Sequence, residues 1–252
     1  MRRNFVTHFT LFLVVVGFTL LRAAGAYAGP IVYNQPIVSL TSPYAVWTSD
    51  REVAGNGFGF RSYDNFSLPQ LTLIDGVNWQ GFYLDFVTPG NNPPAPDAIF
   101  WEISFWSDFN GQRDALLYSQ TLPAANVQTT VLGTTSLDLP PSVPVVLFNF
   151  EADLPTPFLA NPGTTYWLSV TSYSPNVNPV VWLWFQGTGG DGITIQEAYP
   201  GGFRFPPREG DRAFSLEGQV VPEPSTLVLL VTGLGVTLGY SGVRRQRARA
   251  TS

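Results

Sequence analysis

The residue types that most often carry catalysis are scarce in this chain of 252 residues. It contains one histidine, His8, no cysteine and no lysine, since all thirteen basic residues are arginines. His8 lies in an N-terminal stretch that is typical of an export signal, so we expect the mature chain to lack it. This composition excludes a Ser-His-Asp triad, a thiol nucleophile, a Schiff-base lysine and a zinc site of histidine or cysteine ligands. We therefore expect a protein without catalytic activity.

Carboxylates are the chemical groups that remain. A glycoside hydrolase would need two of them about 5 to 9.5 Å apart, and the sequence does not show which acids face each other. Calcium binding would need several oxygen ligands on one loop. The best local cluster is Asp108, Asn110 and Asp114 around Gly111, although a plain hairpin turn explains the same residues. Asp191, between glycines, is a weaker metal candidate. We expect no cofactor, with Ca²⁺ left open.

Tryptophan offers a third kind of chemistry, since a planar ring on a sheet surface can stack on a sugar. The chain has seven tryptophans, all between residues 47 and 184. Trp106 and Trp167 are the ligand-binding candidates, because alternation places both of them beside polar neighbours. The alternative is that the tryptophans fill the core of the fold.

Both ends of the chain carry targeting patterns rather than fold. Residues 1–28 have charged Arg2 and Arg3, an apolar centre from Phe9 to Leu21, and the A-x-A site Ala26-Tyr27-Ala28. This order is typical of a cleaved signal peptide, so we expect the mature chain to start at Gly29. An uncleaved membrane anchor is the alternative.

The C-terminal end has three consecutive parts. Val221-Pro222-Glu223-Pro224-Ser225 is followed by an uncharged run, Thr226 to Val243, and then by four arginines, Arg244, Arg245, Arg247 and Arg249. The run is near the lower limit of about 17 to 25 residues for a membrane-spanning helix. The arginines predict a cytoplasmic C-terminus. The prolines keep the approach to the helix extended.

These three parts, in this order, resemble the PEP-CTERM sorting signal of Gram-negative bacteria, with Pro222, Glu223 and Pro224 as the motif. The resemblance covers residues 221–249. It implies Sec-dependent export, transient anchoring in the inner membrane, and cleavage near the motif by an exosortase, a membrane protease. The protein would then reach the cell surface or be released. An ordinary tail anchor is the alternative.

The part between the two signals, residues 29–220, is strongly acidic. Six arginines against seventeen acids give it a formal charge of about −11. Nucleic-acid binding needs a basic surface, so it is excluded. The absence of cysteine means that no disulfide contributes to stability.

Prolines and glycines divide residues 29–220 into short runs rich in β-branched and aromatic residues, which predicts a single all-β domain, an antiparallel, jelly-roll-like β-sandwich. Predicted strands include Leu71–Ile74, Val77–Val87, Ile99–Trp106 and Thr165–Ser172. We expect the apolar face of the last two to form the core, through Trp101, Ile103, Phe105, Tyr166, Leu168 and Val170. Segments between residues 58 and 218, such as Asn161 to Val170, resemble β-sandwich ectodomains of PEP-CTERM proteins.

Three functions follow as hypotheses. The first is a non-catalytic structural or adhesive protein in an envelope or matrix of extracellular polysaccharide, which the resemblance implies. The second is a carbohydrate-binding module that uses exposed tryptophans. The third is a carboxylate-based glycoside hydrolase. A row of exposed aromatic rings would favour the second, and two facing acids in a cleft would favour the third.

Overall fold

The computed structural model describes residues 29–38, 46–53, 57–85, 97–137, 143–175 and 180–222. Within these ranges the regular structure is all β apart from one 3₁₀ turn, Ala124–Asn126. The strands are, in chain order, β1 (Ile31–Gln35), β2 (Trp47–Thr48), β3 (Asp50–Glu52), β4 (Gly59–Ser67), β5 (Thr72–Asp85), β6 (Phe100–Phe109), β7 (Gln112–Pro123), β8 (Gln128–Leu137), β9 (Val143–Ala160), β10 (Thr165–Ser174), β11 (Val180–Trp184), β12 (Gln186–Gly187), β13 (Ile193–Tyr199), β14 (Phe203–Arg204), β15 (Arg208–Glu209), β16 (Asp211–Arg212) and β17 (Phe214–Val220).

The strands form two large sheets and one small one. The first sheet is centred on β5, which has β17 and then β11 on one side and β9 on the other, with β1, β2 and β8 outside them. The second has the order β14-β13-β4-β3-β10-β6-β7, with β15 beside β13 and a further pairing of β4 with β10. Strands β12 and β16 form the small sheet. All pairings between named strands are antiparallel except that of β3 with β10, so the predicted all-β, antiparallel class is confirmed.

The main core lies between the two large sheets and is dominated by aromatic rings. Trp79 of β5 contacts Trp101 of β6, with ring centroids 5.1 Å apart, and Phe105 of β6 stacks on Phe158 of β9 at 4.5 Å. Strand alternation places these side chains inward. The predicted shared face is confirmed, since its six residues all belong to this cluster: Trp101, Ile103, Phe105, Tyr166, Leu168 and Val170.

A second apolar cluster lies on the opposite face of the first sheet. It contains Val145 and Leu147 of β9 with Val181 and Leu183 of β11. These strands are therefore buried on both faces, as their continuous apolar sequences predict.

Of two local predictions, one is confirmed and one is corrected. The tight turn at Asn110-Gly111 is confirmed, because it joins β6 to β7 and both residues have positive φ, 55° and 74°. The two predicted strands Leu71–Ile74 and Val77–Val87 are instead the single strand β5, which carries a one-residue bulge at Asp75 where it pairs with β17. A bulge absorbs one extra residue without ending the strand, so the break in alternation does not mark a strand boundary.

Candidate functional site

The outer face of the second sheet is charged and strongly curved. Arg113 lies on β7 and Glu197 on β13, and three strands, β6, β10 and β4, separate them along the sheet. Nevertheless Arg113 Nη2 forms a buried ion pair with Glu197 Oε1. Side chains can bridge this gap only because the sheet curls like half a barrel. We call this surface the arginine face; its basic residues are Arg51, Arg61, Arg113 and Arg204.

Glu197 is the centre of one network on the arginine face. Its side chain is 3% exposed and accepts hydrogen bonds from Tyr63 Oη at 2.7 Å and Tyr199 Oη at 3.1 Å. Arg204 Nε pairs with it at 2.7 Å. Burial alone would raise the pKa of Glu197. The hydrogen bonds from Tyr63 and Arg204, with the charge of Arg113, outweigh burial and lower the pKa. The carboxylate therefore stays charged.

Glu102 on β6 is the centre of a second network on the same face. Its Oε2 pairs with Arg61 Nη2 at 2.7 Å and accepts a hydrogen bond from Tyr173 Oη at 2.8 Å. Arg51 Nη1 donates to the same tyrosine oxygen at 3.0 Å, and its guanidinium lies 4.1 Å from the ring centroid of Tyr199. The arginines are therefore held by carboxylates and aromatic rings together.

These networks bury the polar residues beneath them. Ser104, Ser169 and Thr171 alternate with the core residues of β6 and β10, and the alternation predicts that they face solvent. In the structure they are 1%, 0% and 0% exposed. The expectation of a solvent-facing polar side is therefore wrong at these positions. The curl brings arginine and tyrosine side chains from neighbouring strands over these small residues.

The tryptophan candidates lie on this face but offer little surface. Trp167 is fully buried and donates from Nε1 to Asp108 Oδ1 at 2.9 Å, so it presents no ring face to a sugar. Trp106 is half-buried, and the guanidinium of Arg113 lies 4.3 Å from its ring centroid. Five of the seven tryptophans are at most 1% exposed: Trp79, Trp101, Trp167, Trp182 and Trp184.

The calcium candidates of the β6–β7 hairpin have local hydrogen-bonding roles. Asp108 Oδ2 accepts from the backbone N–H of Gly111 at 3.1 Å, while its Oδ1 accepts from Trp167. Asp114 Oδ2 accepts from Ser107 Oγ at 3.3 Å. Asn110 is exposed at the tip of the turn. The side chains of Asp108 and Asp114 thus stabilise the hairpin, and the expectation that they hold no ion stays a prediction.

Another cluster of carboxylates was only partly anticipated. Asp64 of β4, Asp191 of the loop after β12 and Asp211 of β16 have oxygen atoms within 4.8 Å of one another. The sequence singled out Asp191 alone, because nothing local links the three positions. Backbone N–H groups of Gly190 and Gly192 donate to Asp211 at 2.9 and 2.6 Å. Such an oxygen set is of the kind that hard cations take.

Burial limits what these three carboxylates can do. Asp64 is fully buried and Asp211 is 5% exposed, while Asp191 is exposed. Burial raises the pKa of Asp64 well above its usual range, although it accepts the backbone N–H of Arg212 and lies near that residue's charge. A substrate has no open access to the two buried acids, so this arrangement does not resemble the pair of carboxylates that glycoside hydrolysis uses.

Most residues of the predicted targeting signals lie outside the described residues. This applies to Ala26, Ala28, Glu223, Pro224 and the arginines of the basic tail. Pro222 is described and is exposed. The predicted membrane segment Thr226–Val243 also lies outside, and the described part of the chain contains no helix that is long and apolar enough to span a bilayer.

The chain matches no protein-family model, no curated protein and no solved structure. Its function is therefore inferred from its own residues and their geometry.

Proposed function

We propose that this protein is an exported, non-catalytic component of a bacterial envelope, sorted by an exosortase through Pro222, Glu223 and Pro224. In this proposal residues 1–28 direct Sec export, a jelly-roll-like sandwich is the functional part, and residues 221–249 anchor it in the inner membrane until cleavage. The mature protein then acts structurally or adhesively at the cell surface or in extracellular polysaccharide.

The observation that supports this proposal is how the chain leaves β17. Strand β17 finishes at Val220, and the backbone N–H of Val221 donates to the carbonyl of Leu71 at 2.8 Å. Pro222 follows and is exposed, at the edge of a groove that Pro69 and Pro162 also line. Among the described residues, Val221 makes the last backbone hydrogen bond of the chain, and the motif begins at the next residue. In this proposal the protease therefore acts on a segment that follows β17 and does not have to remove that strand.

The absence of catalysis in this proposal is supported by the chemistry of the acids. Glu102 and Glu197 are each paired with arginines, which gives both of them structural roles. Lysine and cysteine are absent from the whole sequence, and histidine occurs only at position 8. Carboxylates and tyrosines are the acid–base groups that remain in the described residues.

Mass spectrometry of the mature C-terminus, in a bacterial host that has an exosortase, tests the proposal. We expect the wild-type chain to lose residues 226–252 and to leave the inner membrane. Glu223→Ala is expected to fold and be exported but to keep its tail and remain in that membrane. Glu209→Ala removes an exposed acid of β15 and serves as the control that is still processed. A wild-type chain that keeps its tail, or normal trimming of Glu223→Ala, would favour a plain tail anchor.

A further inference from the structure

The two large sheets differ in their basic residues. Five of the six arginines between residues 29 and 220 lie on strands of the second sheet, and the sixth, Arg212, lies on β16. The described strands of the first sheet contain no arginine and five acids. Since the sheets pack against each other through the main core, their outer faces point in opposite directions. The arginines of the two large sheets therefore all belong to one sheet, although that sheet carries eight acids as well.

The acids of the first sheet gather on its outer face. Val77 and Trp79 of β5 point into the main core, which places Asn78 on the outer side. The same alternation places Glu151 and Asp153 of β9 there, beside Glu217 of β17. We call this surface the acidic face; it consists of Asp75, Glu151, Asp153 and Glu217.

The mutual repulsion of these acids is visible at Glu217. Burial raises its pKa, and the charges of Glu151, Asp153 and Asp75 add to the rise, against a 2.6 Å hydrogen bond from Asn78 Nδ2. Asp153 is exposed and Glu151 is half-buried, so their charges are accessible. A cation brought to this face would relieve the repulsion.

The arginine face supplies such cations on the opposite side. It holds four arginines beside four acids, Glu102, Asp108, Glu197 and Glu209, whereas the acidic face holds no arginine. Arg204 keeps 41% of its side chain exposed, and Arg51 is half-buried beside the rings of Tyr173 and Tyr199. Arginine and tyrosine are the residue types that contribute most to protein interfaces.

We propose that the arginine face of one copy binds the acidic face of a second copy of this chain. The partner is identified by charge, because the carboxylates that complement the arginines are present on the opposite side of the same molecule. Two different surfaces then meet at every contact, so the association is heterologous and each added copy leaves one arginine face and one acidic face free. Unless the rotation between copies closes a ring, the product is an open-ended chain. This inference does not depend on the sorting signal.

Sedimentation velocity of the full chain in a mild non-ionic detergent provides the first test. At low ionic strength we expect species that grow with protein concentration. Raising the salt to about 0.5 M shortens the screening length to a few ångströms and should return the protein to monomers. A wild-type chain that remains monomeric at low salt and high concentration overturns the proposal.

Two charge reversals make the test specific. Arg204→Glu disables only the arginine face, and Asp153→Arg disables only the acidic face. Each variant alone is expected to be monomeric. Mixed together they should form a one-to-one complex and nothing larger, because only one complementary pair of faces remains. A mixture that stays monomeric contradicts the proposal.

A matched control separates this interface from a general effect of charge. Arg208→Glu, on exposed β15 and outside the arginine face, changes the net charge by the same amount as Arg204→Glu and should assemble like the wild type. Loss of assembly in this control counts against the proposal. Because Arg204 pairs with Glu197, its variant must show a wild-type circular dichroism spectrum; otherwise Arg51→Gln replaces it. If the wild type stays monomeric but binds polygalacturonate through Arg204, the partner is an anionic polymer and the proposal is wrong.

Discussion

Both faces of the second sheet contain buried side chains, but the two faces are built from different chemistry. On the inner face, Ile103 and Leu168 are fully buried among aromatic rings. On the outer face, Glu197 and Arg113 are 2% and 8% exposed and are held by one another. Apolar burial is non-directional, whereas each buried charge needs a particular partner. The stability of the inner face therefore depends on how apolar volume is filled, and the stability of the outer face depends on specific pairs of charged residues.

Removing one member of a buried ion pair should have the largest effect on the free energy of unfolding. Glu197→Ala leaves Arg113 buried without its carboxylate and takes an acceptor from Tyr63, so we expect a loss of about 3–5 kcal/mol in the free energy of unfolding. Urea denaturation of the full chain in detergent measures it. Glu209→Ala, on exposed β15, is the control and should change stability by less than about 0.5 kcal/mol. Similar losses in both variants would show that the outer network is not specific.

The inner face should respond to volume. Leu168 is fully buried in the main core, and Leu168→Ala should lower the free energy of unfolding by about 2–5 kcal/mol through lost burial and the cavity left behind. Leu168→Met keeps nearly the same volume and should cost less than about 1.5 kcal/mol. The same denaturation experiment checks both variants. An unchanged midpoint for Leu168→Ala would contradict the assignment of this face.

A buried carboxyl group without an arginine partner should behave differently from the paired acids of the outer face. Burial raises the pKa of Asp50 to about 7 and nearby Asp97 adds to the rise, although the N–H of Trp182 and the hydroxyl of Ser174 donate to its carboxylate. The unfolded pKa is about 3.9, so between about pH 4 and 7 the native state binds more protons than the unfolded state. Stability should therefore fall as the pH rises through this window, by up to about 1.4 kcal/mol per pH unit.

Asp50→Asn is the variant that isolates this effect. Burial also raises the pKa values of Asp64, Asp97 and Glu217, while Glu197 shifts in the opposite direction. The useful quantity is therefore the wild-type slope of stability against pH minus the slope of Asp50→Asn, measured from pH 4 to 8. Equal slopes would mean that Asp50 does not titrate in this window.

The smallest loss of stability is expected at a turn that belongs to neither face of the second sheet. Gly111 has a φ of 74°, and a Cβ added there would meet no atom within 4 Å. Gly111→Ala should therefore cost only the left-handed backbone strain, about 1–2 kcal/mol, seen as a small fall in the melting temperature. Gly163, with a φ of 66° and the same open surroundings, should respond alike. A loss as large as that of Leu168→Ala would show that the hairpin contributes more than its turn.

Period-two alternation accounts for what the sequence predicted of the fold. It identified the buried face of β6 and β10 because core and non-core residues alternate there without a break. It failed for β4, whose large residues Phe60, Tyr63 and Phe66 recur every third position and belong to both faces. Tyr63 and Phe66 are 0% and 2% exposed on opposite sides of the sheet.

The outer networks could not be predicted, because they depend on the curl of the sheet. Arg61 and Arg113 are ordinary charged residues in their strands, and no local pattern shows that Glu102 and Glu197 will meet them. Asp64 and Asp211 are likewise joined only by the packing of β4 against β16. The predicted targeting segments are the reverse case. They are recognised from the local order of residue types in the sequence, and most of their residues lie outside the described part.

The position of β17 has a mechanical consequence for a chain held by its C-terminus. A force applied to the chain beyond Pro222 acts on the fold through β17, whose last residue is Val220. This strand is paired with β1 on one side and with β5 on the other. Seven residue pairs join β17 to β5. A pull along the strand axis loads these hydrogen bonds together in shear instead of opening them one after another. The same strand carries Phe214 and Leu216 in the main core, so pulling β17 out of the sheet would also break apolar contacts. A tether at this end of the chain would thus be attached to one of the strands best placed to resist force.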